Sequence, residues 1–149
     1  MRIYLDASVL IAVIAEEPAS AAVRRFLRAH REDRLISDFA AAEVASAISR
    51  LLRTRLLTEE EGSARLADFD AWRAAASSAA DMHAADARLA YAYVRRFELR
   101  LRAPDALHLA IARRLDVSLV TLDRRMAAAA RELGIAVEMP EASQTEHEQ

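Results

Sequence analysis

The 149-residue chain has no cysteine and no lysine, only two glycines and three prolines, and few aromatic residues (5%). Without cysteine there are no disulfides, no zinc–thiolate sites and no cysteine nucleophile. All 21 basic residues are arginine, so chemistry that depends on a lysine beside phosphate is excluded. This rules out a P-loop, a receiver domain and a haloacid-dehalogenase-like phosphatase. The last would also need Asp-x-Asp where this chain reads Asp6-Ala7-Ser8. The two glycines, Gly62 and Gly134, do not sit at a strand–helix turn that a phosphate would approach, which removes dinucleotide binding. No apolar run approaches the ~20 residues that span a bilayer. Asp6 interrupts the N-terminal run and no cleavage pattern follows it, so no signal peptide is expected. The expectation is a cytoplasmic protein with no membrane segment.

The composition is otherwise ordinary for a globular protein, with 54% hydrophobic residues, 30% charged and a net charge of −2. That charge argues neither for nor against nucleic acid. The segment 139–149 carries Glu141, Glu146 and Glu148 and no base. It is expected to be a disordered polar tail behind one domain, residues 1–138. The chain is organised around its first stretch, MRIYLDASVLIAVI. Ile3 to Leu5 reads as a short strand, Asp6 ends it, and Ser8 is placed to cap a helix over Val9 to Ile14. A strand feeding straight into a helix suggests a central strand of a parallel α/β sheet, where ligands bind beyond the strands' carboxyl ends. Asp6 would sit there. Taken alone, Asp6 is equally well read as a turn residue or a helix cap.

Further along, Ser20 is predicted to cap a helix to about His30, and Leu35-Ile36 to form a very short strand. Ser37 or Asp38 then caps a helix to about Arg53, whose apolar stripe is Ala40, Val44, Ala47, Ile48 and Leu51. Glu43 falls within that stripe by spacing, which is costly for a carboxylate without a base or a metal. Thr58 to Glu61 is a capping-box pattern opening a helix to about Trp72. Ala74 to Met82 reads as a loop or weak edge strand, and His83 to Phe97 as a helix. Pro104 suits the first position of a helix that runs to Leu115 and is apolar almost all round, with Asp105 in its first turn. His108 on that helix is taken as structural or as a support to a ligand. Val117 to Leu122 reads as a strand covered on both faces, followed by Asp123, a helix from Arg124 to Leu133, Gly134 and a last strand to Glu138.

Four acids therefore occupy comparable places. Asp6 and Asp123 follow strands, Glu43 interrupts a helix face and Asp105 opens a buried helix. Carboxylates gathered at one sheet edge repel each other without a counter-ion, and an all-oxygen set selects a hard cation, Mg²⁺ or Mn²⁺. With Tyr4-Leu5-Asp6-Ala7-Ser8, Ala-Ala-Glu43-Val, Pro104 to Ala110 and Thr121-Leu122-Asp123 in order, residues 1 to about 138 resemble a PIN domain. The likeness is greatest to the VapC-type toxins of toxin–antitoxin pairs.

The resemblance implies an α/β protein with a three-layer α/β/α fold around a mainly parallel sheet, acting as a Mg²⁺- or Mn²⁺-dependent endoribonuclease. Asp6, Glu43, Asp105 and Asp123 match the family's acidic quartet, with Ser8 and Thr121 at its supporting hydroxyl positions. Asp6 and Asp105 are the first choices as metal ligands. Glu43 and Asp123 are left to a second ion, to metal waters or to orienting the nucleophile. Arg102, Arg124 and Arg125 are the best placed in sequence to hold RNA phosphates. A homodimer and a cognate antitoxin protein are expected partners. The alternative is a catalytically silent PIN-like module that binds RNA or protein without turnover.

Overall fold

The computed structural model describes residues 2–31 and 33–141. The element order is β1 (Ile3–Leu5), α1 (Ala7–Ile14), α2 (Ser20–Ala29), β2 (Arg34–Ser37), α3 (Asp38–Arg53), α4 (Glu59–Ala76), β3 (Ser78–Ala80) and α5 (Ala84–Val94). A 3₁₀ turn (Phe97–Leu99) leads to α6 (Ala103–Leu115), β4 (Ser118–Val120), α7 (Arg124–Glu132) and β5 (Val137–Glu138). The strands lie in the order β3-β2-β1-β4-β5, and every pairing among the described residues is parallel.

Alternation along the strands builds the three layers, because successive side chains point to opposite faces of a sheet. Ile3 and Leu5 of β1, Ile36 of β2 and Val120 of β4 join one buried cluster with Val9, Leu10, Val23, Val44 and Phe69 of α1 to α4. Tyr4, Leu35 and Leu119 point the other way, into a cluster with Ala106, Leu109, Met126 and Ala130 of α6 and α7. Helix α6 is buried almost all round, as its apolar composition predicts. The strand order reverses at β1. Chain segments leave β1 toward β2 on one side and β4 lies on the other, so a crevice opens beyond the carboxyl ends of β1 and β4.

Several local expectations shift. Asp6, not Ser8, caps α1, its side chain accepting from the Val9 N–H. Helix α2 has no side-chain cap; the Ser20 hydroxyl instead accepts from the Glu17 N–H and donates to the Ala15 carbonyl, closing the turn before the helix. Ser37 caps α3, and the Thr58–Glu61 capping box opens α4. Helix α4 runs on through Ala76, since alanines continue a helix readily, and the weak edge strand is β3 alone. After β5, Pro140 is buried and the Glu141 carbonyl accepts from Arg25 at 3.1 Å. Of the tail expected over 139–149, residues 142–149 lie outside the described residues.

Candidate active site

One cleft of about 450 Å³ opens at the crevice between β1 and β4, and Asp6, Glu43, Asp105 and Asp123 all line it. Each comes from a different element. Asp6 ends β1 and caps α1, Glu43 stands in the second turn of α3, Asp105 in the first turn of α6, and Asp123 caps α7. Ser8, His108, Arg50, Arg53 and Arg102 share its wall.

Asp6 is the most enclosed of the four, at 2% exposure. Its Oδ1 accepts from the Ser8 hydroxyl at 2.6 Å and the Val9 N–H at 3.1 Å, and its Oδ2 from the Thr121 hydroxyl at 2.5 Å. Both hydroxyls are themselves acceptors, Ser8 from the Leu122 N–H and Thr121 from the Asp123 N–H, each at 3.0 Å. Their protons are therefore free to point at Asp6, and the β4–α7 turn is tied to the β1–α1 turn through one carboxylate. Burial nonetheless pushes the Asp6 carboxyl above its ordinary range, against these hydrogen bonds. Ser8 and Thr121 thus both donate to Asp6.

The other acids are more open. Asp105 lies 3.5 Å from Arg102 Nε. Asp123 Oδ1 accepts from the N–H groups of Arg125 and Met126, so the same carboxylate caps a helix and faces the cleft. Glu43 is not inside the buried stripe of α3. It leads the neighbouring face, with Ser46, Ala47, Arg50 and Arg53 at helical spacing along the cleft wall, and its side chain is 31% exposed. Its partner is not an arginine but the Nε2 of His108.

Residues 3–132 match the PIN domain family. The chain belongs to the PIN-domain family. It is 38% identical over 141 residues to Ribonuclease VapC46 of Mycobacterium tuberculosis (strain ATCC 25618 / H37Rv), covering 93% of this chain and 97% of that protein. The fold is similar to VapBC2 from Rickettsia felis bound to a promoter DNA fragment (TM-score 0.71, 16% identity, 95% of this chain and 100% of that one). It is also similar to M. tuberculosis VapC20, a sarcin–ricin-loop-cleaving toxin (TM-score 0.69, 18% identity, 85% and 94%).

Within this PIN domain the arginines sort differently from their sequence expectation. Arg102 lines the cleft, but Arg124 and Arg125 do not, and Arg125 faces a separate hollow with Glu98 and Arg100. Helix geometry explains this: Asp123 and Met126, three apart, share the cleft side of α7, and the two residues between them turn away. Arg50 and Arg53 were missed. Their signal was the spacing of seven and ten residues from Glu43 on one helix. The donors around the cleft are carboxylate and hydroxyl oxygens, which suit a hard divalent cation. Among the described residues no three His, Asp or Glu side chains stand as a finished metal cage.

Proposed function

We infer that this PIN domain is an endoribonuclease, the toxin of a toxin–antitoxin pair, and that it depends on Mg²⁺ or Mn²⁺. What supports the reading is the meeting of four carboxylates from four separate elements in an arginine-rimmed cleft, in a chain related to a VapC ribonuclease. Asp6 and Asp105 would hold the ion, which when bound supplies positive charge for the phosphodiester and lowers the pKa of a water. Asp6 is suited to this because its three hydrogen-bond donors are all neutral and fix its position. Glu43 and Asp123 flank the same space and orient the attacking water. Arg50, Arg53 and Arg102 hold the RNA backbone on the rim, leaving the acids to the scissile phosphate. A VapB-like antitoxin as inhibitor, a homodimer and a cytoplasmic location complete the proposal. No helix among the described residues is long and apolar enough to cross a membrane.

The test is incubation of total RNA with purified protein, with cut sites mapped. Cleavage is expected with Mg²⁺ or Mn²⁺ and is expected to be abolished by chelation and by Asp105→Asn, with circular dichroism unchanged. An Asp105→Asn protein that cuts at the wild-type rate overturns the site, and a wild type that leaves RNA intact under every metal condition overturns the nuclease reading.

A further inference from the structure

Four side chains beneath the cleft form a closed bracket. The Tyr4 hydroxyl lies 2.8 Å from the Ser37 hydroxyl and 2.6 Å from His108 Nδ1, while His108 Nε2 meets Glu43 Oε1. Ser37, Tyr4 and His108 are all buried. Both ends of the bracket are on α3, at its cap and in its second turn, and its middle is β1 and α6. The imidazole is also held between the rings of Tyr4 and Phe39, at centroid distances of 5.6 and 5.2 Å.

The direction of every proton in this chain follows from its ends. A carboxylate only accepts, so Nε2 carries a proton and donates it to Glu43. In a neutral imidazole Nδ1 is then an acceptor and takes the Tyr4 proton. Tyr4 oxygen accepts from the Ser37 hydroxyl, which already accepts from the Ala40 N–H at 3.0 Å. Burial raises the Tyr4 phenol further above its ordinary value, so it stays a donor. A doubly protonated ring would reverse the chain and leave the Ser37 proton aimed at no acceptor among the described residues.

We propose that Tyr4 and His108 are positioning residues for Glu43. Tyr4 donates to Nδ1 and holds the imidazole in place, and His108, whose Nε2 proton the Glu43 carboxylate fixes, engages one Glu43 oxygen so that the other is the one presented to the cleft. What Glu43 then does to RNA rests on the nuclease reading; the hydrogen-bond chain does not. Glutamine and asparagine at position 108 separate positioning from mere packing. A glutamine amide nitrogen reaches the place of Nε2, whereas asparagine reaches only that of Nδ1. His108→Asn is expected to lower kcat by about 10–100-fold, the usual scale for losing a supporting hydrogen bond to a site group, with KM little changed. His108→Gln is expected to recover most of the rate. In a Glu43→Gln background His108→Asn is expected to add nothing, since it acts through Glu43. Nitrogen-15 spectra of the wild-type imidazole are expected to show Nε2 protonated and Nδ1 bare, and in Tyr4→Phe the same tautomer with only the Nδ1 signal shifted, since the Glu43 carboxylate remains and the Tyr4 hydrogen bond is lost. Equal impairment by Asn and Gln, additive loss in the Glu43→Gln background, or a protonated Nδ1 in the wild type overturns the proposal. If the wild type does not cut RNA, the nuclease reading falls and the imidazole nitrogens alone decide the chain.

Discussion

Asp6 and Asp86 are both aspartates with only 2% of their surface exposed, Asp6 deep in the cleft and Asp86 close to the surface, and the protein treats them in opposite ways. Asp86, in the first turn of α5, has its own cation: Arg114 Nε donates to Oδ1 at 2.7 Å and Nη2 to Oδ2 at 3.0 Å, and the His83 N–H adds a third bond at 2.8 Å. Burial pushes its carboxyl up, but the hydrogen bonds from Arg114 and His83 outweigh this and hold it below the usual carboxylate range. Asp6 has as many donors, all of them neutral, and it lies deeper, so burial wins. Among the described residues no arginine pairs with it. A structural acid is neutralised from within the chain, whereas Asp6 shares a cleft with three other carboxylates, which the proposed function neutralises with a cation from solution. The contrast supports the proposed role of Asp6 without any reference to a relative.

The largest expected effect that would test this contrast is on stability at Asp86. Asp86→Asn leaves Arg114 without its carboxylate, and breaking a buried pair this way costs about 3–5 kcal/mol. The lower end applies because the Arg114 side chain is 22% exposed. Urea unfolding measures it, and RNA cleavage by the folded variant is expected to be intact. A change near zero would place Asp86 with Asp6 rather than opposite it.

Asp6→Asn sharpens the other side. Asparagine caps a helix as well as aspartate does, and it removes a charge that its neighbours repel, so the metal-free variant is expected to be at least as stable as the wild type. Most substitutions at buried sites instead cost about 1 kcal/mol. Mn²⁺ at about 100 times its dissociation constant is expected to add about 2.7 kcal/mol to the wild type and much less to the variant. Thermal melts with and without metal decide it. A destabilised metal-free variant beside a metal-insensitive wild type would make Asp6 a structural acid.

The smallest effect is in pH. Asp86 has a depressed folded pKa, so its contribution is fully present above the unfolded value, near 3.8, and is lost as pH falls through the folded value. Melts between pH 6 and pH 2.5 are expected to show Asp86→Asn losing less stability than wild type on the acid side of about pH 4. Parallel curves would mean that Arg114 does not hold the charge.

Much of this architecture was legible from local pattern. Strand β1 reads from Ile3 to Leu5, the cap of α3 narrows to Ser37 or Asp38, the capping box at Thr58 reads from its four-residue pattern, and an α6 apolar all round reads as a buried helix. Asp6, Asp105 and Asp123 could be picked out because each stands where an element begins or ends, and Glu43 by its spacing on α3, although it leads the face beside the buried stripe. Errors came where two local options were close in energy. Asp6 and Ser8 are both good caps, and only the packed turn shows that Ser8 is engaged by the Leu122 N–H. An alanine run such as Ala74 to Ala76 has no stop signal, so α4 outran its expected end.

By itself the sequence determined the elements, the parallel sheet class and the residues carrying negative charge, because periodicity and capping act within a few residues of chain. Only the tertiary structure decided who partners whom. Glu43 meets a histidine 65 residues away, that histidine meets a tyrosine 104 residues away, and Arg114 rather than any site residue takes Asp86. Such bonds depend on how helices rotate and slide when their apolar faces pack on the sheet. A rotation of one residue, 100° of helix, moves a side chain from cleft to solvent, as Arg124 and Arg125 show beside Asp123. Packing fixes that rotation through many small contacts spread across the whole core, and no short stretch of sequence records their sum.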